Sequence, residues 1–156
     1  MDFERLQAVL RALEAHGVRY AIVGAVALNV HGLARFTEDL DIFVEPEQGN
    51  IARLRAALAS VFDDPEIEDI TAADLLGPYP AIQYVPPEGA FHLDIVTRLG
   101  EAFAFEDLQT ERVPFGDITI TVVTPRMLYD MKKNTVRLKD RADAELLRLR
   151  FGFEEE

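Results

Sequence analysis

The stretch YAIVGAVALNVHGLARFTEDLDIFV, residues 20–44, contains the features that decide the fold. The short apolar run 20–23 leads directly into Gly24, and good helix formers follow over residues 25–31. Over residues 40–44 every second residue is a branched apolar one, which is typical of a strand with one buried face. The stretch therefore predicts a strand, a tight glycine turn, a short helix and a second strand.

The rest of the chain adds helices and strands around this unit. Apolar residues at helical spacing predict helices at 3–16, 51–61, 126–136 and 141–150, and a weaker one at 72–76. Apolar and β-branched runs predict strands at 82–85, 91–96 and 118–123. The acidic stretch 63–69 is expected to form a solvated loop. This order of elements predicts one α/β or α+β domain over residues 1–156, with a mixed β-sheet flanked by helices.

The composition excludes several classes of function. The chain has no cysteine, so disulfides, thiolate zinc sites and cysteine nucleophiles are ruled out. Its first residues are polar and acidic, unlike a signal peptide, and no apolar stretch approaches the roughly 20 residues that cross a membrane. The net charge of -12 disfavours binding to extended DNA. We expect a cytoplasmic protein without membrane contacts, for which a nucleotide carrying a metal cation is an acceptable ligand.

Three aspartates are candidates for a metal site. Asp39 and Asp41 lie two residues apart on a predicted strand, so their side chains leave the same face of the sheet. Asp94 is a third carboxylate inside the otherwise apolar strand 91–96. Hard oxygen ligands of this kind suit Mg²⁺ or Mn²⁺, and three of them on neighbouring strands could serve a displacement at phosphorus. Taken alone, the Asp-x-Asp pair is equally consistent with two solvated loop carboxylates.

The glycine turn is a candidate phosphate site. The strand that ends at Val23 delivers Gly24 to the start of a short helix, where free backbone N–H groups and the helix dipole favour anions. The same pattern is also expected of a tight turn with no function beyond the turn itself.

The combination resembles the polymerase-β-like nucleotidyltransferase superfamily. The resemblance is carried by Val23-Gly24-Ala25, by Asp39-Leu40-Asp41-Ile42 and by the later Asp94. The finer match is to the branch of AbiEii-type toxins and related small nucleotidyltransferases, and it spans roughly residues 18–147. The residues that carry this finer match are Gly24, Ala27, His31, Gly32, Arg35, Thr37, Asp39, Asp41, Thr124, Pro125, Leu128, Lys132, Arg137, Lys139, Asp140 and Asp143.

The resemblance implies a nucleotidyltransferase fold, two Mg²⁺ ions and roles for some of the matching residues. It implies that Asp39, Asp41 and Asp94 hold the two ions as the catalytic and metal-binding residues of a two-metal mechanism, with Asp94 sharing one ion and also helping to deprotonate the attacking hydroxyl. It implies that Gly24 and the N–H of Ala25 meet the triphosphate. Lys132 is the implied lysine that steadies the charge of the triphosphate.

One position departs from the family pattern and other positions keep two interpretations. Residue 25 is alanine where the family usually has glycine or serine, so a hydroxyl contact to phosphate is missing. Arg35 and Thr37 could contact the nucleotide or simply be a surface arginine and a turn threonine. Asp140 and Asp143 are typical of an N-cap and the acidic first turn of the last helix, and that structural interpretation is favoured.

Three functions follow, and the acceptor stays open. The first is transfer of a nucleoside monophosphate from a triphosphate such as ATP to a hydroxyl of RNA (for example tRNA), a protein or a small molecule. Toxin, antibiotic-modifying and housekeeping roles are all open, and as part of a toxin–antitoxin pair the protein would have an antitoxin partner. The second is a weakly active or inactive nucleotide-binding module of a two-protein system, which Ala25 favours. A structural domain with an acidic face is a third alternative. Specificity for the acceptor is expected in loops such as the proline-rich segment 77–90, or in a partner.

Overall fold

The chain folds into alternating helices and strands in a computed structural model that describes residues 2–78, 80–87, 91–99, 103–133, 135 and 137–154. The helices are α1 (Phe3–Ala15), α2 (Gly24–Val30), α3 (Gln48–Ala59), α4 (Ala72–Leu75), α5 (Pro125–Lys132) and α6 (Leu138–Phe151). The strands are β1 (Tyr20–Val23), β2 (Asp39–Val44), β3 (Ala81–Tyr84), β4 (His92–Val96), β5 (Arg98–Leu99), β6 (Phe103–Ala104), β7 (Thr110–Phe115) and β8 (Ile118–Val123).

Six of the strands form one mixed sheet in the order β3-β4-β2-β1-β8-β7. Strands β2 and β4 run parallel, as do β1 and β8, whereas the remaining neighbours are antiparallel. Strands β5 and β6 form a separate two-stranded hairpin. The α/β fold with a mixed sheet flanked by helices, predicted from the order of elements, is confirmed.

Alternation along the central strands divides the sheet into two faces. Leu40, Ile42 and Val44 of β2 are fully buried and belong to the hydrophobic core. Helix α1 packs against α3 and β8, and α2 packs on β1, β2 and α5. Asp39 and Asp41 alternate with the buried residues, so they point to the opposite face of the sheet. The core therefore holds β2 in a register that places both carboxylates on one side.

A polar network joins the first helix to the far half of the sheet. The hydroxyl of Tyr20 donates to Glu14 at 2.6 Å and accepts the backbone N–H of Thr121. Arg112 of β7 donates two hydrogen bonds to the Glu14 carboxylate, at 2.7 and 2.9 Å. Burial would raise the pKa of Glu14, but the hydrogen bonds from Arg112 and Tyr20 outweigh it, so the pKa lies below its usual value. The Glu14 carboxylate thus links α1 directly to β1 and β7, and the Tyr20 hydroxyl extends the network to β8.

Two of the predictions need correction, and one strand of the sheet was missed. The acidic stretch 63–69 is not a solvated loop, because Pro65–Asp69 is a 3₁₀ helix whose Ile67 is buried in the core. The helix predicted at 126–136 ends at Lys132. Strand β7 was not predicted, because it is an edge strand with mostly exposed side chains and a proline, which leaves little apolar alternation to detect.

Some sequence predictions reach beyond the described residues. Residues 79 and 88–90 of the segment expected to select the acceptor lie outside them, as do 134 and 136 of the helix predicted at 126–136. Across the ranges that are described, no helix is long and apolar enough to span a membrane.

Candidate active site

The predicted site residues surround a cavity of about 490 Å³ between the carboxylate face of the sheet and helices α5 and α6. The glycine turn, all three aspartates, Thr37 and Lys132 line it. Arg35 does not line it, because its guanidinium group is turned towards α6, with Nε 3.5 Å from Oδ1 of Asp143. The tertiary structure thus brings together seven of the eight residues that the sequence singled out.

Asp41 and Asp94 are the centre of the site. They are register partners on the parallel strands β2 and β4, and their carboxyl groups lie within hydrogen-bonding reach of each other. Burial, the hydrogen bond with Asp94 and the charges of Asp94 and Asp39 raise the pKa of Asp41 to about 7, against a smaller opposing effect of Lys132. Two carboxyl groups in contact inside a cavity are stable only if a proton or a cation reduces their charge.

Asp39 lies at the rim of the same face. Its register partner on β4 is His92, whose Nδ1 is 3.4 Å from Oδ1 of Asp39. The hydroxyl of Thr37 accepts the N–H of Asp39 at 3.0 Å and donates to its carbonyl at 3.2 Å, which closes the loop onto the start of β2. Thr37 therefore acts locally on the backbone that presents Asp39, and its hydroxyl also borders the cavity.

Gly24 of the turn packs directly against the side chain of Asp41. Val23 is the register partner of Asp41, so the residue that follows it lies beside the Asp41 side chain. Gly24 has φ +69°, and a Cβ built on it would overlap Oδ2 of Asp41 and lie 2.9 Å from its Cγ. Both the left-handed backbone and the close approach require glycine here. The next residue, Ala25, also lines the cavity at the start of α2, where backbone N–H groups have no partner within the helix.

Lys132 is held by acidic residues of α6. Its Nζ lies 3.2 Å from Oδ1 of Asp140 and 3.2 Å from Oδ2 of Asp143. Asp143 is only 3% exposed, and its other oxygen faces Arg35. A buried carboxylate needs such partners, because the cost of removing it from water is otherwise uncompensated. The arrangement directs the ammonium group of Lys132 along the cavity wall.

The interpretation of Asp140 as an N-cap is therefore wrong. Arg137 is the N-cap of α6, and Asp140 lies inside the first turn. Asp140, Asp143 and the cavity-lining Gln83 are site residues that the sequence did not assign. For Asp143 a signal was present, since a carboxylate among the apolar positions of a helix usually has a buried partner. No local signal marked Gln83, which is the register partner of Asp94 on β3.

The donor atoms suit Mg²⁺ only in part as they stand. Across the described ranges, no group of three or more His, Cys, Asp or Glu side chains is already arranged to hold a metal ion. Asp41 and Asp94 have the chemistry that Mg²⁺ prefers, and the mutual repulsion of their charges would be relieved by a cation. Asp39 leaves the same face of β2 but is in contact with His92. The fit rests on the Asp41–Asp94 pair, with Asp39 as the nearest further carboxylate.

The architecture is shared with solved nucleotidyltransferase structures. The lincosamide antibiotic adenylyltransferase LnuA, in its lincomycin-bound crystal structure, has a TM-score of 0.64 with 13% sequence identity, covering 95% of this chain and 97% of that chain. TM1012 from Thermotoga maritima, assigned to the nucleotidyltransferases, has a TM-score of 0.56 with 13% identity, covering 94% of this chain and 90% of that chain. At such identities the likeness establishes the fold, which is that of a nucleotidyltransferase.

The sequence places the chain more narrowly. Residues 8–142 match the family described as "Nucleotidyl transferase AbiEii toxin, Type IV TA system". Because the match covers most of the chain, the protein belongs to the AbiEii nucleotidyltransferase toxin family, and the resemblance noted in the sequence is confirmed. No curated protein matches the chain by sequence.

Proposed function

We propose that the protein is a Mg²⁺-dependent enzyme that transfers a nucleoside monophosphate from a nucleoside triphosphate, such as ATP, to a hydroxyl group. One observation carries the proposal: the Asp41–Asp94 pair lies beside the Gly24 turn in a cavity that also contains Lys132. Membership of a nucleotidyltransferase family supports transfer in general. The metal, the nucleotide and the acceptor are parts of the proposal.

The triphosphate lies between the glycine turn and the basic wall of the cavity. The backbone N–H of Ala25 donates to a phosphate oxygen, because Ala25 lines the cavity at the start of α2, where this N–H has no partner within the helix. Lys132, Arg137 and Lys139 line the opposite wall. Asp140 and Asp143 line the same wall and hold Lys132, so the three basic residues leave a local excess of positive charge in a chain of net charge -12. It attracts a triphosphate even though the protein as a whole is acidic.

Asp39, Asp41 and Asp94 would hold two Mg²⁺ ions, and Mn²⁺ has the same preference for carboxylate oxygens. The chemistry that the ions supply when bound is neutralisation of negative charge on the phosphate oxygens during displacement. The protein itself supplies a rigid register, because Asp41 and Asp94 are backbone-paired neighbours on adjacent strands. It also supplies a group that accepts the proton of the acceptor, and Asp94 has that role.

The reaction is a single displacement at the α-phosphorus. The hydroxyl oxygen of the acceptor forms a bond to this phosphorus while the bond from phosphorus to the bridging oxygen breaks. The hydroxyl proton passes to the carboxylate of Asp94, and the bond electrons leave with pyrophosphate. Lys132, fixed by Asp140 and Asp143, offsets the charge of the leaving group. The products are the nucleotidylated acceptor and pyrophosphate.

The direct test is incorporation of label from α-labelled nucleoside triphosphates into cellular RNA, cellular protein and small hydroxyl compounds. Asp41→Asn and Asp94→Asn should lose incorporation by about 10³-fold or more, because each removes a charge at the reacting centre. Asp117→Asn is the matched control, since Asp117 is an exposed aspartate paired with Arg11 outside the cavity lining. Undiminished incorporation by Asp41→Asn, with the fold intact, would contradict the proposal.

A second candidate function is favoured by Ala25. A nucleotide-binding module of a two-protein system keeps the backbone donor of this turn but lacks a side-chain hydroxyl for phosphate. Titration calorimetry separates the two candidates. The module would bind nucleoside triphosphate with Mg²⁺ and release no pyrophosphate with any acceptor, and Ala25→Ser would then strengthen binding without producing turnover.

The acceptor is a hydroxyl of RNA, including tRNA, of a protein or of a small molecule. Lincomycin in the LnuA structure is a small-molecule example in this fold. Apolar residues such as Val96, Leu99 and Met131 line part of the cavity and suit an uncharged portion of either substrate. Within a toxin–antitoxin system an antitoxin is the expected partner, and the cytoplasm is the expected site of action. Screening the four nucleoside triphosphates against the three acceptor classes identifies which nucleotide and which acceptor the enzyme uses.

A further inference from the structure

The last helix carries an apolar stripe on its outer side that the proposed reaction does not use. Asp143, Ala144 and Leu147 form the buried face of α6, which packs against α5. On the outer face, Leu138 is 79% exposed, Leu146 is 49% exposed and Leu149 is 65% exposed. At about 100° per residue, these leucines and the exposed Ala142 fall within an arc of roughly 80°. The four residues form what we call the α6 stripe.

The α6 stripe has the size of a helix-binding surface. From Leu138 to Leu149 it runs for roughly 16 Å along the helix, or three turns. Leu138, Ala142 and Leu149 occupy three of the four positions by which such a stretch of one helix packs on another, and Glu145 occupies the fourth. Leu146, beside Glu145, continues the apolar row. Isolated exposed leucines are ordinary, but a continuous row along one helix face is typical of an interaction site.

Basic residues flank the α6 stripe on both sides. Helical geometry places Arg141 and Arg148 along one edge, and Lys139 and Arg150 along the other. Lys139 also borders the cavity, and Nε of Arg150 donates to the carbonyl of His31 at 3.4 Å. Glu145 is the single acidic residue among these exposed positions, and its carboxylate is held by Arg148 at 3.0 and 2.5 Å. The other two acidic residues of α6 face inward and bind Lys132. This outer face is therefore basic, in a chain of net charge -12.

The basic residues that flank the α6 stripe indicate which kind of helix could bind there. Two copies of α6 packed through their stripes would bring basic flanks together in either direction, and like charges oppose each other at such edges. A helix with a matching apolar row and acidic flanks would instead pair favourably along both edges. We propose that the α6 stripe is a docking site for an acidic amphipathic helix of a partner protein.

The probe is a synthetic fluorescent peptide of about three heptads, with leucine at a and d and glutamate at e and g. Its glutamates keep it from pairing with itself. The matched peptide has lysine at e and g. Fluorescence anisotropy with the full chain should show the glutamate peptide binding at least about tenfold more tightly than the lysine peptide, with the difference shrinking at high salt.

Variants of the chain assign the binding to the stripe. Leu138→Ser and Leu149→Ser, each tested singly, should weaken the glutamate peptide about tenfold, because each removes an apolar contact. Leu76→Ser is the control, since Leu76 is 66% exposed but lies outside α6. Arg141→Glu should shift the preference towards the lysine peptide, whereas Arg11→Glu, on α1, should not. Circular dichroism verifies that each variant is folded.

Several results would overturn the proposal. One is equal binding of the glutamate and lysine peptides, and another is binding that survives Leu138→Ser and Leu149→Ser. Sedimentation velocity supplies the third. A wild-type dimer that Leu149→Ser dissociates would mean that a second copy of the chain, rather than an acidic helix, covers the stripe.

Discussion

The backbone of Gly24 and the carboxylate of Asp41 are packed so closely that only a hydrogen atom fits between them. A Cβ on Gly24 would overlap Oδ2 of Asp41, and the φ of +69° already disfavours any side chain. The glycine turn and the candidate metal ligand are therefore one unit. The missing side chain of the glycine leaves the room that the Asp41 carboxylate occupies, and so helps to set its position.

Gly24→Ala should destabilise the fold and remove nucleotide binding together. The left-handed backbone alone costs about 1 kcal/mol for alanine, and the overlap with Asp41 adds to it. Gly17→Ala is the matched control, because Gly17 has φ +66° but a Cβ added there would meet no atom within 4 Å. Urea unfolding measures the stability of both, and calorimetry measures nucleotide binding. Equal loss of stability in the two variants would show that Gly24 and Asp41 are not in contact.

Asp41→Asn should stabilise the metal-free protein at pH 8 but not at pH 4. The pKa of Asp41 is raised to about 7 in the folded state, so the folded protein binds more protons than the unfolded chain between about pH 4 and 7. Stability therefore falls as the pH rises through this range, by on the order of 1–3 kcal/mol. The neutral asparagine avoids this loss. Thermal unfolding at both pH values is the measurement.

Mg²⁺ should stabilise the wild-type protein at pH 8 and have a weaker effect at pH 4. At pH 8 it should raise the melting temperature of the wild type, because it compensates the charge of the Asp41–Asp94 pair, and it should have little effect on Asp41→Asn. At pH 4 protons compete for the same oxygens and the effect of Mg²⁺ should weaken. A gain from Asp41→Asn of the same size at pH 4 and pH 8 would contradict the raised pKa.

Asp143→Asn should cost much more stability than Asp130→Asn. Each aspartate lies near two basic side chains, but the side chain of Asp143 is 4% exposed and that of Asp130 is 31% exposed. Removing a buried partner leaves Lys132 and Arg35 poorly compensated, at a cost on the order of 3 kcal/mol. Loss of the partly exposed ion pairs of Asp130 should cost under about 1 kcal/mol of unfolding free energy. Chemical denaturation compares the two variants, and similar losses would place Asp143 outside any buried ion pair.

Glu14→Gln should destabilise the protein near pH 7 and become harmless in acid. The pKa of Glu14 is lowered in the folded state, so its contribution is present above the unfolded pKa and is lost as the pH falls through the folded value. With a partly exposed carboxylate, the loss at pH 7 should be about 1 kcal/mol. Glu38→Gln, at an exposed position, serves as the control. Unfolding free energies measured from pH 3 to 8 should converge at the acid end.

Local sequence patterns predicted the elements that form the centre of the fold. Helix α1, the unit from β1 to β2, and β8 with the Thr124-Pro125 start of α5 were all predicted, because each has apolar periodicity or a capping residue within its own segment. The edge strand β7 and the burial of Ile67 were missed because their own segments carry little apolar periodicity. Both environments depend on neighbours far along the chain. Acidic residues surround Ile67 in the sequence, and half of the residues of β7 are polar.

The candidate site likewise has some features that local sequence sets and others that depend on the packing of distant segments. Sequence by itself determined the glycine turn, the Asp-x-Asp strand and the third carboxylate, since each is a short pattern with a strand period or a backbone requirement. Only the tertiary structure decided that Asp94 is the register partner of Asp41, and that Asp140 contacts Lys132 rather than capping α6. The physical reason is that strand register and buried ion pairs arise from the packing of distant segments, whereas periodicity and capping act between residues a few positions apart.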